Sequence, residues 1–119
     1  MSLAVSLEEL ATRVEEFGSQ AFLITTDGTA PHIVSVPVGF DGRLFSLPAG
    51  GSSQRNIDAT ATASLLWPGH EGSAYSLIVD GAASHEGDRA QVRPTTAVLH
   101  RLADAPSELP SCVRLDGSG

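Results

Sequence analysis

The 119-residue chain contains no lysine, and its seven basic residues are all arginine, scattered at positions 13, 43, 55, 89, 93, 101 and 114. Fourteen acidic residues outnumber them, which sets the net charge at −7 with histidine neutral. Binding to a phosphate backbone needs several cations on one surface, so this balance excludes nucleic acid and anionic membrane as expected partners. Cysteine is almost absent as well. Cys112 stands alone, so no intramolecular disulfide and no thiolate zinc cluster can form. MSLAVSLEEL carries acids where a secretory leader needs positive charge, and no apolar run approaches a membrane span. The expected location is therefore the cytoplasm.

Familiar catalytic signatures are also missing. GGSSQ at 50–54 lacks the closing glycine of the G-x-S-x-G nucleophile elbow. The histidines at 32, 70, 85 and 100 are too dispersed for an H-E-x-x-H helix, so no metal site is expected. The glycines at 50 and 51 have neither the spacing nor the lysine of a nucleotide-binding P-loop.

With 41% hydrophobic and 18% charged residues, the chain has the material for one well-packed core. Ser6-Leu7-Glu8-Glu9 matches a capping box and predicts a helix whose apolar face is Leu7, Leu10, Ala11, Val14 and Phe17, with Gly18 ending it. The period then changes to two. AFLITT (21–26), HIVSVPVGF (32–40) and RLFSLP (43–48) read as strands joined by Asp27-Gly28 and Asp41-Gly42 turns. Val34, Val36, Val38 and Phe40 share one face, and Ile33, Ser35 and Pro37 the other. Pro37 cannot donate to a ladder, which predicts an edge or a bulge there. Strands are also expected at 60–69, 74–87 and 90–102, with Gly81 marking a bulge or a close approach. The expectation is a mainly β fold with six strands and two short helices in residues 1–105, followed by a flexible tail over 106–119.

Between the third and fourth strands lies GGSSQRNI (50–57). It offers a helix N-terminus with exposed amides, the hydroxyls of Ser52 and Ser53, and Arg55 as a cation, which is chemistry suited to a terminal phosphate. The plainer reading is that Ser52 or Ser53 caps the helix and Arg55 is solvated.

The order of these pieces resembles the FMN-binding split-barrel family, the pyridoxamine 5'-phosphate oxidase-like proteins and their small flavin- or deazaflavin-using relatives. The similar segments are the leading helix, the two hairpins in AFLITTDGTAPHIVSVPVGFDGRLFSL, the S-x-x-R-N-I connection, TASLLWPG, YSLIVDGAA and the last long strand. The resemblance implies a six-stranded antiparallel split barrel and a homodimer with flavin sites at its interface. It also implies that Ser52, Ser53, Arg55 and Asn56 hold the FMN phosphate. Val34, Ser35, Val36, Phe45 and Ser46 would line the ring, and Trp67 would reach toward the neighbouring subunit. Many relatives place a second cation three residues before the asparagine, where this chain has Ser53, so Arg93 or Arg101 is expected to supply that charge. His32 and His100 are candidate proton donors or structural histidines. The function implied is an FMN-dependent oxidoreductase acting on a small molecule. The alternatives are a deazaflavin-dependent reductase of the same fold, or a non-catalytic dimeric flavin-binding or scaffold protein, with a deazaflavin coenzyme or no cofactor in place of FMN.

Overall fold

A computed structural model describes residues 2–69 and 73–101. His70, Cys112 and the expected tail at 106–119 lie outside the described residues. The elements run β1 (Ser2–Ala4), α1 (Leu7–Phe17), β2 (Gln20–Thr26), β3 (Pro31–Pro37), β4 (Gly39–Phe40) and β5 (Phe45–Pro48). They continue with α2 (Gly51–Thr60), β6 (Thr62–Trp67), β7 (Tyr75–Glu86) and β8 (Arg89–Arg101). All pairings are antiparallel, in the order β3-β2-β6-β7-β8-β5-β4, with β1 added to β8.

This is the expected mainly β fold, and all six predicted strands are present. The count rises to eight because the 31–40 strand is interrupted and because Ser2–Ala4 pairs with Val98–His100. The interruption closes the sheet. β3 pairs with β2, β4 pairs with β5, and only Val38 separates them. One chain segment thus serves both ends of the sheet and curls it into a half-barrel. Pro37, with no N–H, ends β3, and Val38 instead donates to the Ser19 carbonyl at 2.8 Å.

Local signals explain the connections. Ser6 Oγ accepts from the Glu9 amide at 3.2 Å while Glu9 Oε1 accepts from the Ser6 amide at 3.1 Å, completing the capping box. The Ser6 amide, and after it the Ser6 hydroxyl at 3.3 Å, donate to the Glu9 carboxyl and hold it below its ordinary range. Of the predicted apolar face of α1, Leu10 is fully buried and Val14 and Phe17 are partly so, whereas Leu7 is 57% exposed. Asp27 caps its turn by accepting from Thr29 and Ala30, and Asp41 does the same for Arg43 and Leu44.

The core occupies the barrel interior. Leu23, Phe45, Leu47, Leu65, Trp67, Leu77, Val79 and Val92 are fully buried, each stabilising the fold by about 1.5–3 kcal/mol relative to exposure. Gly81 sits at the bulge between β7 and β8, where the register shifts. A Cβ there would collide with the Arg93 carbonyl and lie 2.7 Å from Val92 Cγ1, so the close approach is by the chain's own backbone.

Candidate functional site

The two helices sit differently on the barrel. α1 packs against β7 and β8, and Trp67 Nε1 donates to its C-capping Gly18 carbonyl at 2.9 Å. α2 packs against β2 and β7, turning Ser53 and Ile57 inward. Asn56 Nδ2 donates to Thr25 Oγ1 at 3.0 Å, which ties the helix to β2.

The N-terminus of α2 carries the polar chemistry. Strand pairing extends through Pro48, opposite Arg89, and the Ala49 amide donates to the Asp88 carbonyl at 2.9 Å. The Ala49 carbonyl accepts from Gln54 Nε2 at 2.6 Å. Ala49 is thus held from both sides, and Gly50 becomes the N-cap, with extended backbone and no side-chain cap. The expectation that Ser52 or Ser53 caps the helix is therefore corrected: both lie inside its first turn. Helical bonding begins with the Gln54 amide on the Gly50 carbonyl, at 2.9 Å. The amides of Gly51, Ser52 and Ser53 consequently have no intrahelical acceptor.

Arg55 folds back over this turn. Its Nη2 donates to Ser52 Oγ at 3.1 Å, and its Nη1 lies 3.4 Å from where a Cβ on Gly51 would be. α2 has no acidic residue in its first turn, whereas α1 has Glu8 and Glu9 there. The positive end of the α2 dipole and a guanidinium therefore share one place, with no acidic side chain in that turn to balance them. Ser53 is 1% exposed, and its hydroxyl has no hydrogen-bond partner among the described residues. A buried unpaired hydroxyl is costly by itself, and three unpaired amides, one hydroxyl and one cation make a donor set that fits a phosphate.

The remaining predicted contacts are not gathered on one surface. Val36, Phe45 and Trp67 point into the core, Val34 is half-buried on the same inner face, and Ser46 is half-buried. Ser35 lies on the outer face, where its hydroxyl accepts from Gln20 Nε2 at 3.3 Å. Trp67 is fully buried in its own barrel, 5.6 Å from the Phe45 ring, so its side chain does not reach toward a neighbouring subunit. The reason is alternation: Ala63, Leu65 and Trp67 share the inward face of β6. Arg93 is exposed on β8, beside Leu44 and Ala61 at the other end of α2 from Arg55. His32 is half-buried opposite Thr25, and His100 Nδ1 is 3.1 Å from Ser2 Oγ.

One further surface was missed by residue type. An open depression of about 340 Å³ on the outer sheet face is lined by Ile24, Thr26, Thr62, Ser64, Asp80 and Thr95. Asp80 accepts there from Ser64 and from Thr96, because the bulge brings Thr95 and Thr96 beside it. Beside the depression an apolar row crosses the sheet, Phe22 opposite Leu66, Leu66 opposite Ile78 and Ile78 opposite Val98, with Ile24 opposite Ile33. Phe22 is 36% and Ile33 56% exposed. No group of His, Cys, Asp and Glu suited to a metal ion occurs among the described residues, and no helix among them is long and apolar enough to cross a membrane.

Comparison with solved structures defines the class. The fold matches a Listeria innocua protein provisionally assigned as a pyridoxamine 5'-phosphate oxidase, with a TM-score of 0.64 and 16% identity, covering 79% of this chain and 98% of that one. It also matches the FAD binding protein from Mycobacterium smegmatis, with a TM-score of 0.60 and 18% identity, covering 85% of this chain and all of the other. The protein is thus a split barrel. It belongs to the same family as the uncharacterized proteins Mb0449c of Mycobacterium bovis and MT0457 of Mycobacterium tuberculosis, to each of which it is 31% identical in an alignment 128 positions long that covers 92% of this chain and 90% of theirs. No protein-family model matches the chain.

Proposed function

We propose that this protein is a homodimeric flavin-binding oxidoreductase that takes FMN by its phosphate at the N-terminus of α2 and acts on a small molecule. The observation that carries the reading is the positive end of α2, with no acidic residue in its first turn, Arg55 folded over it and the Ser53 hydroxyl buried without a partner among the described residues. Such an arrangement stores electrostatic cost that an anion relieves. The two split-barrel neighbours support a flavin specifically, one being an FAD-binding protein and the other a provisional pyridoxamine 5'-phosphate oxidase.

In this reading the amides of Gly51 to Ser53, the Ser52 and Ser53 hydroxyls and Arg55 hold the phosphate. Asn56, engaged with Thr25, orients the helix that presents them. A bound flavin supplies hydride and electron transfer, and the protein contributes binding, orientation and exclusion of water. Self-association follows from the apolar row around Phe22 and Ile33, an exposed patch of the kind that marks an interface.

A second reading, binding without turnover, has one observation in its favour. Of the described histidines, His85 and His100 are both engaged in hydrogen bonds within the chain, which leaves His32 as the candidate proton donor. Titration of the purified protein with FMN tests the first reading. Quenching of flavin fluorescence and a raised melting temperature are expected; no change in either removes the flavin. Turnover with a nicotinamide donor and a quinone or nitro acceptor then separates enzyme from binding protein. Tighter binding of a deazaflavin coenzyme than of FMN would reassign the cofactor within the same fold.

A further inference from the structure

His85, on β7, makes two hydrogen bonds of 2.9 Å: Nδ1 to the Gly87 carbonyl and Nε2 to Oδ1 of Asp58 on α2. Neither a carbonyl nor a carboxylate has a proton to give, so both ring nitrogens donate. Both contacts are therefore satisfied together only in the imidazolium form of the ring.

The partners of His85 lead to the candidate site. Gly87 and Asp88 form the turn between β7 and β8, where Gly87 takes a positive φ of 57°. The carbonyl of Asp88 accepts the Ala49 amide immediately before the N-cap of α2. One turn therefore holds α2 twice, at its start through Asp88 and along its flank through Gly87, His85 and Asp58.

We propose that His85 is a positioning residue for the anion cradle: as an imidazolium it ties α2 to the β7–β8 turn and keeps the Gly51–Ser53 amides and Arg55 in place to grip an anion. The inference rests on reading the α2 N-terminus as an anion site. Loss of the proton leaves the ring one N–H for two acceptors, so one of the two ties is broken. The Gly87 carbonyl raises the His85 pKa above its ordinary value of 6.5; partial desolvation opposes this, and the Asp58 carboxylate adds to the rise. The side chain is 16% exposed. Other charged groups around it are Glu86, Asp88 and Arg89 on the hairpin, Glu86 and Arg89 sharing a surface depression with it. The neighbouring β5 brings no titratable group to this end.

The test uses the isotope-labelled full chain and sulfate, whose charge does not change across the titration range of histidine. Amide shifts at Gly51, Ser52 and Ser53 report sulfate affinity as a function of pH, and the imidazole resonances report the His85 pKa. Affinity is expected to be roughly fivefold tighter below that pKa than above it, the lower end of ordinary coupling between sites. His85→Gln should flatten the dependence, and Asp58→Asn should move its inflection down together with the His85 pKa. Asp58 is 70% exposed, so this variant carries the test if His85→Gln fails to fold. A dependence unchanged in either variant, or no sulfate shift at these amides at any pH, overturns the proposal. If sulfate behaves as expected while FMN does not bind, the flavin reading falls and the clamp stands. If FMN binds and sulfate affinity ignores His85, the clamp alone falls.

Discussion

Arg55 donates to Ser52 over 3.1 Å, three residues back along the same helix, so the guanidinium lies against the helix's own positive end. Without a bound anion this placement is unfavourable, since cations cost about 0.3–1 kcal/mol at a helix N-terminus. Arg55→Glu should therefore stabilise the ligand-free protein by an amount of that order, read as a raised urea midpoint. The same change should abolish FMN binding, while Arg55→Ala should weaken it by roughly 10- to 100-fold, the loss of one charge-assisted bond. A destabilised ligand-free Arg55→Glu variant would show that the guanidinium serves the fold and not an anion.

Much of this site was legible in the sequence because it is local. Ser52, Ser53, Arg55 and Asn56 fall within five residues of one helix, and hydroxyls beside an arginine are the types a phosphate would use, whereas the bond from Asn56 to Thr25, 31 residues away, left no mark in the sequence. What was not legible depends on partners far along the chain. Gly50 replaces serine as N-cap because Ala49 is held by Asp88, 39 residues later, and that bond fixes where the strand stops. His85 and Asp58, 27 residues apart, carry no spacing signal. β1 is too short for any period to show, and the closure of the barrel through Val38 was visible only as the awkward Pro37. Trp67 is the opposite case. The resemblance led its side chain outward, whereas the alternation of β6 places Ala63, Leu65 and Trp67 together on the inward face.

Gly81 and Gly39 separate steric need from glycine's mere presence. A Cβ at Gly81 would strike the Arg93 carbonyl and Val92, both held by the β7–β8 ladder, whereas one at Gly39 would meet nothing within 4 Å. Gly81→Ala should cost about 1–3 kcal/mol, as overpacking in a closed site does, and Gly39→Ala should be neutral or slightly stabilising. Thermal unfolding of the two variants against the parent checks the contrast. Equal melting temperatures would mean that the bulge relaxes without cost.

Phe22 and Ile33 face outward on adjacent strands, with Leu66, Ile78 and Val98 continuing the apolar surface from the first of them. A charge in such a surface is tolerated in a monomer and costly in an interface, where it is buried unpaired. Phe22→Lys with Ile33→Glu should therefore leave the monomer folded by circular dichroism and shift the sedimentation coefficient from dimer to monomer. Parent protein that sediments as a monomer at micromolar concentration would rule out this face as the dimer contact.

Asp27 governs the response to acid. Its carboxylate accepts from the Thr29 hydroxyl and from the amides of Thr29 and Ala30, and these bonds, the hydroxyl first, lower its pKa from 3.8 to about 2. A carboxyl whose pKa is depressed in the folded state binds its proton more readily when unfolded, so its contribution is complete above 3.8 and disappears as the pH falls through about 2. Glu9 and Asp41 are shifted the same way by their own turn and cap bonds, so acid should loosen the helix cap and both hairpins. Asp27→Asn isolates one of these contributions, because the amide retains an acceptor oxygen but not the charge. The variant should melt below the parent near neutral pH, and the gap should close on acidification through the same window. A gap that stays constant down to about pH 2 would show that the Asp27 charge contributes nothing and that turn shape alone matters.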